Sequence, residues 1–178
     1  MRTLLVIDFQ NNDYLSNQDD TAQLAVGNSV KVLNFWRAEK LPVIHVWLDS
    51  EQFFNSNAWR RHRSAELSPI IDNTILGELT PISRELLIEK PDRSAFFGTA
   101  LDSKLLPNQD IFCIGATTTG CVLATAIHGD ALGYNMNFIS DCIFDINKKR
   151  HNLGLEILAK FGKIINHNIL LERFKNDV

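Results

Sequence analysis

The stretch 115-GATTTGCV-122 sets two glycines, three threonines and a cysteine directly after the apolar run 111-IFCI-114. Two chemistries suit such a strand-to-turn junction. The spacing of Gly115 and Gly120 is that of a phosphate-binding loop, which continues with lysine and then serine or threonine, because the ammonium reaches the phosphates and the hydroxyl holds magnesium. Here Cys121 and Val122 follow instead, so both working side chains are missing. The turn after the first apolar run, 8-DFQNND-13, contains no glycine and lacks the dinucleotide-binding fingerprint. The other chemistry is nucleophilic. In the first turn of a helix a thiol faces free backbone N–H groups, which favour the thiolate and can bring its pKa from about 8.5 to about 7 or lower. The same groups can receive the oxyanion of a tetrahedral intermediate. Free cysteine is also among the most buried residue types and often only fills space, so position alone leaves Cys121 open between the two roles.

A nucleophilic thiol needs a proton acceptor and a group that holds its charge. Asp8 directly follows the run 3-TLLVI-7, and Lys90 directly follows 86-LLIE-89. If both runs are parallel strands, these side chains share the carboxyl-end rim with Cys121, where open parallel sheets bind ligands. The plainer readings are that Asp8 starts a turn and that Lys90 is a solvated charge, and spacing does not decide between them. Asp49 and Asp141 occupy comparable positions and take the plain reading.

Six short apolar runs must position these residues: 3-TLLVI-7, 42-PVIHVWL-48, 86-LLIE-89, 111-IFCI-114, 137-NFIS-140 and 163-KIIN-166. Each is bounded by polar or turn residues, as buried strands are. Helical patterning fills 21–40, 121–132 and 150–161, with Gly133 as a C-cap. Strand-helix alternation predicts a parallel sheet covered on both faces. The segment 49–85 breaks the rhythm and reads as a long irregular excursion. It carries aromatic residues and the cluster 60-RRHR-63, which can supply an apolar wall and an anion clamp.

At 178 residues the chain is read as a single domain, 1–178. A hydrophobic content of 45%, a charged content of 22% and a net charge of −3 fit an ordinary globular protein with no basic excess for nucleic acid. The apolar N-terminal run is too short for a signal segment and no stretch approaches the ~18 residues of a membrane span, so the cytoplasm is expected. Cys113, Cys121 and Cys142 form neither an even disulfide set nor a metal pair; Cys113 and Cys142, in or beside strands, read as buried hydrophobes. His45 reads as a core histidine and His128 as helix packing.

The stretches 4-LLVIDFQNN-12, 89-EKPDRSAFFGTAL-101, 114-IGATTTGCVLATAIHGDALGY-134 and 139-ISDC-142 together resemble the isochorismatase-like cysteine hydrolases, the superfamily of nicotinamidases and N-carbamoylsarcosine amidohydrolase. The resemblance implies a three-layer α/β/α sandwich with a six-stranded parallel sheet, and a triad on Asp8, Lys90 and Cys121. It further implies a cis peptide between Ala116 and Thr117, an oxyanion hole from the N–H groups of Thr117 and Cys121, and a homodimer or homotetramer. Isochorismatases proper cleave a vinyl ether and lack the cysteine, so Cys121 favours carbon–nitrogen hydrolysis of a small amide or ureido compound through a thioester. Nicotinamidases carry an Asp-x-His metal set, whereas Asp49, Glu51 and His62 stand here at irregular spacing, so neither metal nor other cofactor is expected. The candidates for substrate contact are Gln10, Trp47, Phe53, Trp59, Arg61 and Phe96. The competing readings are a catalytically silent member that binds a metabolite or partner through the same pocket, and a vinyl-ether hydrolase.

Overall fold

The structure, a computed structural model, describes residues 1–10, 20–55 and 77–176. Its six strands are β1 (Arg2–Ile7), β2 (Val43–Leu48), β3 (Leu86–Lys90), β4 (Asp110–Ala116), β5 (Asn135–Phe144) and β6 (Lys163–Ile165). All pair in parallel, in the order β3-β2-β1-β4-β5-β6. The helices are α1 (Asp20–Ala38), α2 (Ser50–Asn55), α3 (Leu123–Ala131), α4 (Lys148–Leu158) and α5 (His167–Asn176).

Alternation along each strand sends neighbouring side chains to opposite faces. Leu4, Val6, Phe112 and Ile114 pack with Val32, Leu33 and Trp36 of α1 and Leu170 and Phe174 of α5. Leu5, Ile7, Ile111, Cys113 and Phe138 pack with Ala126 of α3 and Leu158 of α4. The sheet is therefore the middle layer of a three-layer α/β/α sandwich, as the strand-helix alternation predicts. Cys113 and Cys142 are buried on opposite faces, and burial pushes both thiols well above the ordinary range.

Three elements differ from the sequence reading. β5 runs to Phe144, well beyond 137–140, because Asp141 interrupts the apolar pattern without ending the strand. Its carboxylate accepts the N–H and Nδ1 of His167 and the Nδ2 of Asn166, capping α5. α5 lies where the sequence shows only a polar tail, and Leu170 and Phe174, four apart, bury its inner edge. Within the 49–85 excursion, residues 50–55 form α2, and the Asp49 carboxylate accepts the Gln52 N–H at its start.

Glu85 ties the start of β3 to the α1 face. Its carboxylate is 3% exposed and accepts from Arg37 Nε at 2.8 Å, Arg37 Nη2 at 2.9 Å and the Ile82 N–H at 3.0 Å. His45 Nε2 lies 2.9 Å from it, while His45 Nδ1 is buried without a partner among the described residues. Burial alone would raise the Glu85 pKa, but the bonds from Arg37, Ile82 and His45 and the Arg37 charge prevail and hold it at about 2. Because the folded pKa lies below the ordinary 4.5, this contribution to stability is complete above pH 4.5 and is lost as pH falls toward 2. We expect Glu85→Gln to flatten the fall of unfolding free energy between those limits, as measured by denaturant unfolding across the acid range. An unchanged acid slope would show that Glu85 does not hold this charge network.

Candidate active site

The chain runs outward from β1 through β2 to β3 and then returns to place β4 beside β1, so the strand order reverses between β1 and β4. Ligands of open α/β sheets bind beyond the carboxyl ends of the strands at such a point. Asp8 follows β1, Lys90 is the last residue of β3, and Cys121 lies in the turn after β4. β3 is two strands from β1, a separation of about 10 Å, so only a long side chain spans it.

The Lys90 side chain makes that crossing and is fully buried. Its Nζ lies 2.9 Å from Asp8 Oδ2, 3.3 Å from Cys121 Sγ and 3.1 Å from the Asp92 carbonyl. Three ammonium donors meet three acceptors. Burial works against the charge, but Asp8 and Cys121 outweigh it and raise the Lys90 pKa above its ordinary 10.5. Asp8 has φ +54°, a left-handed conformation that aspartate tolerates better than most residues, while its N–H still bonds the Val46 carbonyl at 2.9 Å. Asp8 Oδ2 is held by Lys90, Oδ1 is buried with no hydrogen bond from a nitrogen or oxygen donor among the described residues, and the carboxylate lies within hydrogen-bonding reach of the Cys121 thiol.

The sequence reading puts Cys121 at the first helical residue with a depressed pKa, and the structure corrects both points. Regular helix begins at Leu123; Thr118–Val122 is a wider turn in which Gly120 is non-helical at φ −113°, ψ −108°. Burial and the Asp8 carboxylate push the Cys121 thiol above its ordinary 9.0, against the pull of Lys90. The resting sulfur therefore keeps its proton, with the Asp8 carboxylate beside it. Cys121 as a residue keeps partial exposure, so its turn borders solvent.

Gly115 delivers the chain to this turn. At φ +132° it adopts a conformation open chiefly to glycine, and a Cβ there would fall 2.0 Å from the Ile7 carbonyl oxygen. The Ala116–Thr117 peptide is cis. Beyond it, the Thr117 carbonyl accepts the N–H groups of Gly120 at 3.0 Å and Val122 at 3.2 Å, and the Thr119 N–H goes to Asp145. The Thr117 and Cys121 N–H groups, those expected to hold an oxyanion, are not among these three spent donors.

The proposed substrate contacts fare differently. Gln10 donates from Nε2 to the Leu48 carbonyl at 3.0 Å and accepts the Leu48 N–H at 2.8 Å, so its amide extends the sheet. Phe96 is buried, stacked on Tyr134 and tilted against His128, and belongs to the core. Trp47 is half-buried and its indole N–H has no acceptor among the described residues. Phe53 is buried beneath the Arg93 guanidinium, 5.2 Å from its ring centre, which fastens α2 to the loop after Lys90. Trp59, Arg61 and His62 lie outside the described residues. Of the other two metal candidates, Asp49 caps α2 and Glu51 is exposed.

The sequence reading passes over Asp92, Arg93, Asp145 and Arg150. The Asp92 contribution is a carbonyl, which no residue type signals. Asp145 and Arg150 have a signal in Asn147, which accepts the Arg150 N–H at 2.9 Å and starts α4.

The isochorismatase domain model matches residues 2–169. Maleamate amidohydrolase of Pseudomonas putida is 26% identical over 102 residues, which are 55% of this chain and 47% of that protein. The ureidoacrylate amidohydrolase RutB of Acinetobacter baylyi is 40% identical over 65 residues, 35% of this chain and 26% of that protein. The matches thus span half or less of these curated relatives. Among solved structures, an isochorismatase-like hydrolase from Alkaliphilus metalliredigens superposes with a TM-score of 0.82 at 20% identity, covering 97% of this chain and 98% of that one. N-carbamoylsarcosine amidase from Thermoplasma acidophilum gives 0.73 at 20% identity, covering 93% and 96%. At such identities the structural likeness is one of fold.

Since the Asp8 charge raises the Cys121 pKa, its removal should lower it. We expect Asp8→Asn to move the midpoint of iodoacetamide alkylation at Cys121 to lower pH. Alkylation at neutral pH should then quicken about 3- to 4-fold for each pH unit by which the midpoint falls, the gain in thiolate being partly offset by its lower nucleophilicity. Slower alkylation at every pH would contradict this reading of the site.

Proposed function

The chain belongs to the isochorismatase family, and on that premise we propose that it hydrolyses the carbon–nitrogen bond of a small amide or N-carbamoyl compound through a thioester on Cys121. The observation that carries this reading is the Asp8 carboxylate within hydrogen-bonding reach of a protonated thiol, with the buried Lys90 ammonium 2.9 Å from Asp8 Oδ2 and 3.3 Å from Cys121 Sγ. Asp8 takes the thiol proton as sulfur attacks the substrate carbonyl, and the Lys90 ammonium stabilises the charge that develops on sulfur. The N–H groups of Thr117 and Cys121 receive the oxyanion. Collapse breaks the C–N bond, and Asp8 returns the proton to the departing nitrogen. A water molecule, deprotonated by Asp8, then attacks the thioester, releasing the acid and restoring the thiol.

The names of the two curated relatives support amide and ureide substrates for this chemistry. A vinyl-ether substrate offers sulfur no acyl carbon, and a purely binding role would leave a buried lysine ion-paired for no chemical end.

The test is ammonia release from a panel of small primary amides and ureido acids. Cys121→Ala should lower turnover by on the order of 10³-fold or more, and Asp8→Asn should do so despite its faster alkylation. Turnover that survives Cys121→Ala would overturn the thioester route.

A further inference from the structure

The turn that carries Cys121 is held from behind by the segment joining β5 to α4. Asp145 directly follows β5, and its side chain is 0% exposed. Its Oδ2 accepts both the N–H and the hydroxyl of Thr119, each at 2.7 Å. Its Oδ1 accepts the Ile146 N–H at 2.8 Å and lies 3.3 Å from Arg150 Nε. Arg150 Nη2 donates to the Thr119 hydroxyl at 2.8 Å, closing a triangle of Asp145, Thr119 and Arg150. One residue away, the Thr118 hydroxyl pairs with His151 Nδ1 at 2.8 Å. α4 itself lies against the turn, since a Cβ on Gly154 would come 2.6 Å from Thr118 Cγ2 and 3.0 Å from Thr119 Cγ2.

A buried carboxylate costs stability unless its oxygens are satisfied, and here two neutral N–H groups, a hydroxyl and a guanidinium satisfy them. The effect on the turn is directional. Asp145 takes the Thr119 N–H as a capping carboxylate does and so fixes this peptide directly before Gly120, which turns with its non-helical φ and ψ. A Cβ on Gly120 would sit 2.4 Å from Thr117 Oγ1, so this conformation leaves no room for a side chain. The peptide after Gly120 carries the Cys121 N–H. Its aim is therefore set by how Thr119 is held.

We propose that Asp145, held in place by Arg150, is a positioning residue for the oxyanion hole: it fixes the Thr119 peptide so that the Cys121 N–H faces the carbonyl under attack. The proposal rests on the acyl-transfer reading above. It predicts that Asp145 matters for reactions that pass through an oxyanion and not for those that do not.

Two electrophiles separate these cases. Iodoacetamide alkylates sulfur by displacement at saturated carbon, with no oxyanion. p-Nitrophenyl acetate acetylates it through a tetrahedral oxyanion: the thiol proton passes to Asp8, the C–S bond forms, the ester C–O bond breaks and p-nitrophenolate leaves. We expect Asp145→Ala to slow acetylation about 10- to 100-fold, less than or equal to the loss of a full oxyanion donor, while alkylation stays within about twofold. Asp145→Asn, whose amide oxygen can still accept the Thr119 N–H, should recover part of the acetylation rate. Arg150→Ala, at a half-exposed side chain that tolerates replacement, should give a smaller loss in acetylation alone. Melting curves of all three variants establish that each is folded, and Arg150→Ala carries the test if Asp145→Ala is not.

A wild-type protein that is acetylated normally, beside folded variants acetylated just as fast, would overturn the positioning role and leave the acyl-transfer reading intact. Alkylation falling in proportion to acetylation would also overturn it. A wild-type protein that is alkylated at Cys121 but not acetylated would sink the acyl-transfer reading and this proposal with it.

Discussion

The interaction on which the rest depends is the buried ammonium of Lys90, shared between Asp8 and Cys121. A buried charge is tolerated only when its protons are all accepted at close range. That requirement reaches far through the molecule. It demands that the ends of β1 and β3 and the turn after β4 converge within one lysine side chain's length, and that the Asp92 carbonyl turn inward as the third acceptor. Asp8 meets it by adopting a left-handed backbone conformation at the end of a strand.

The same constraint explains why the site is at rest in its neutral-thiol form. Lys90 favours a thiolate, but desolvation and the Asp8 charge oppose it, and together they prevail. Two negative charges around one ammonium are thereby avoided at rest.

Much of the architecture is legible in the chain. Apolar runs bounded by turns and separated by helical patterning identify all six strands and a parallel sheet covered on both faces, because burial of the central strands demands such runs; the expectation that all six are buried fails at the edges, where β3 and β6 expose Leu86, Leu87 and Ile164. The plain readings of Asp49 and Asp141 as caps match what those carboxylates accept. Legibility fails where one polar residue stands inside an element: Asp141 hides the second half of β5. It fails also in α5, whose buried residues His167, Leu170 and Phe174 are interleaved with polar residues and the exposed Ile169. At the site, Gln10 and Phe96 stand in suggestive stretches, yet one extends a strand and the other packs on Tyr134. Both uses depend on partners far along the chain, Leu48 for Gln10 and Tyr134 for Phe96, which no local pattern announces.

What the sequence by itself determined is the inventory: a parallel sheet, a glycine-bounded turn with a cysteine, and acidic and basic residues at strand ends. These follow from local periodicity and residue type, which short-range sterics and burial enforce. What only the tertiary structure decided is the electrical state of that inventory. Whether the Cys121 proton stays on sulfur, which Asp8 oxygen Lys90 holds, and which N–H groups are spent on Asp145 depend on distances between β1, β3, β4 and the segment after β5. Charges and hydrogen bonds act over a few ångströms of space, without regard to separation along the chain.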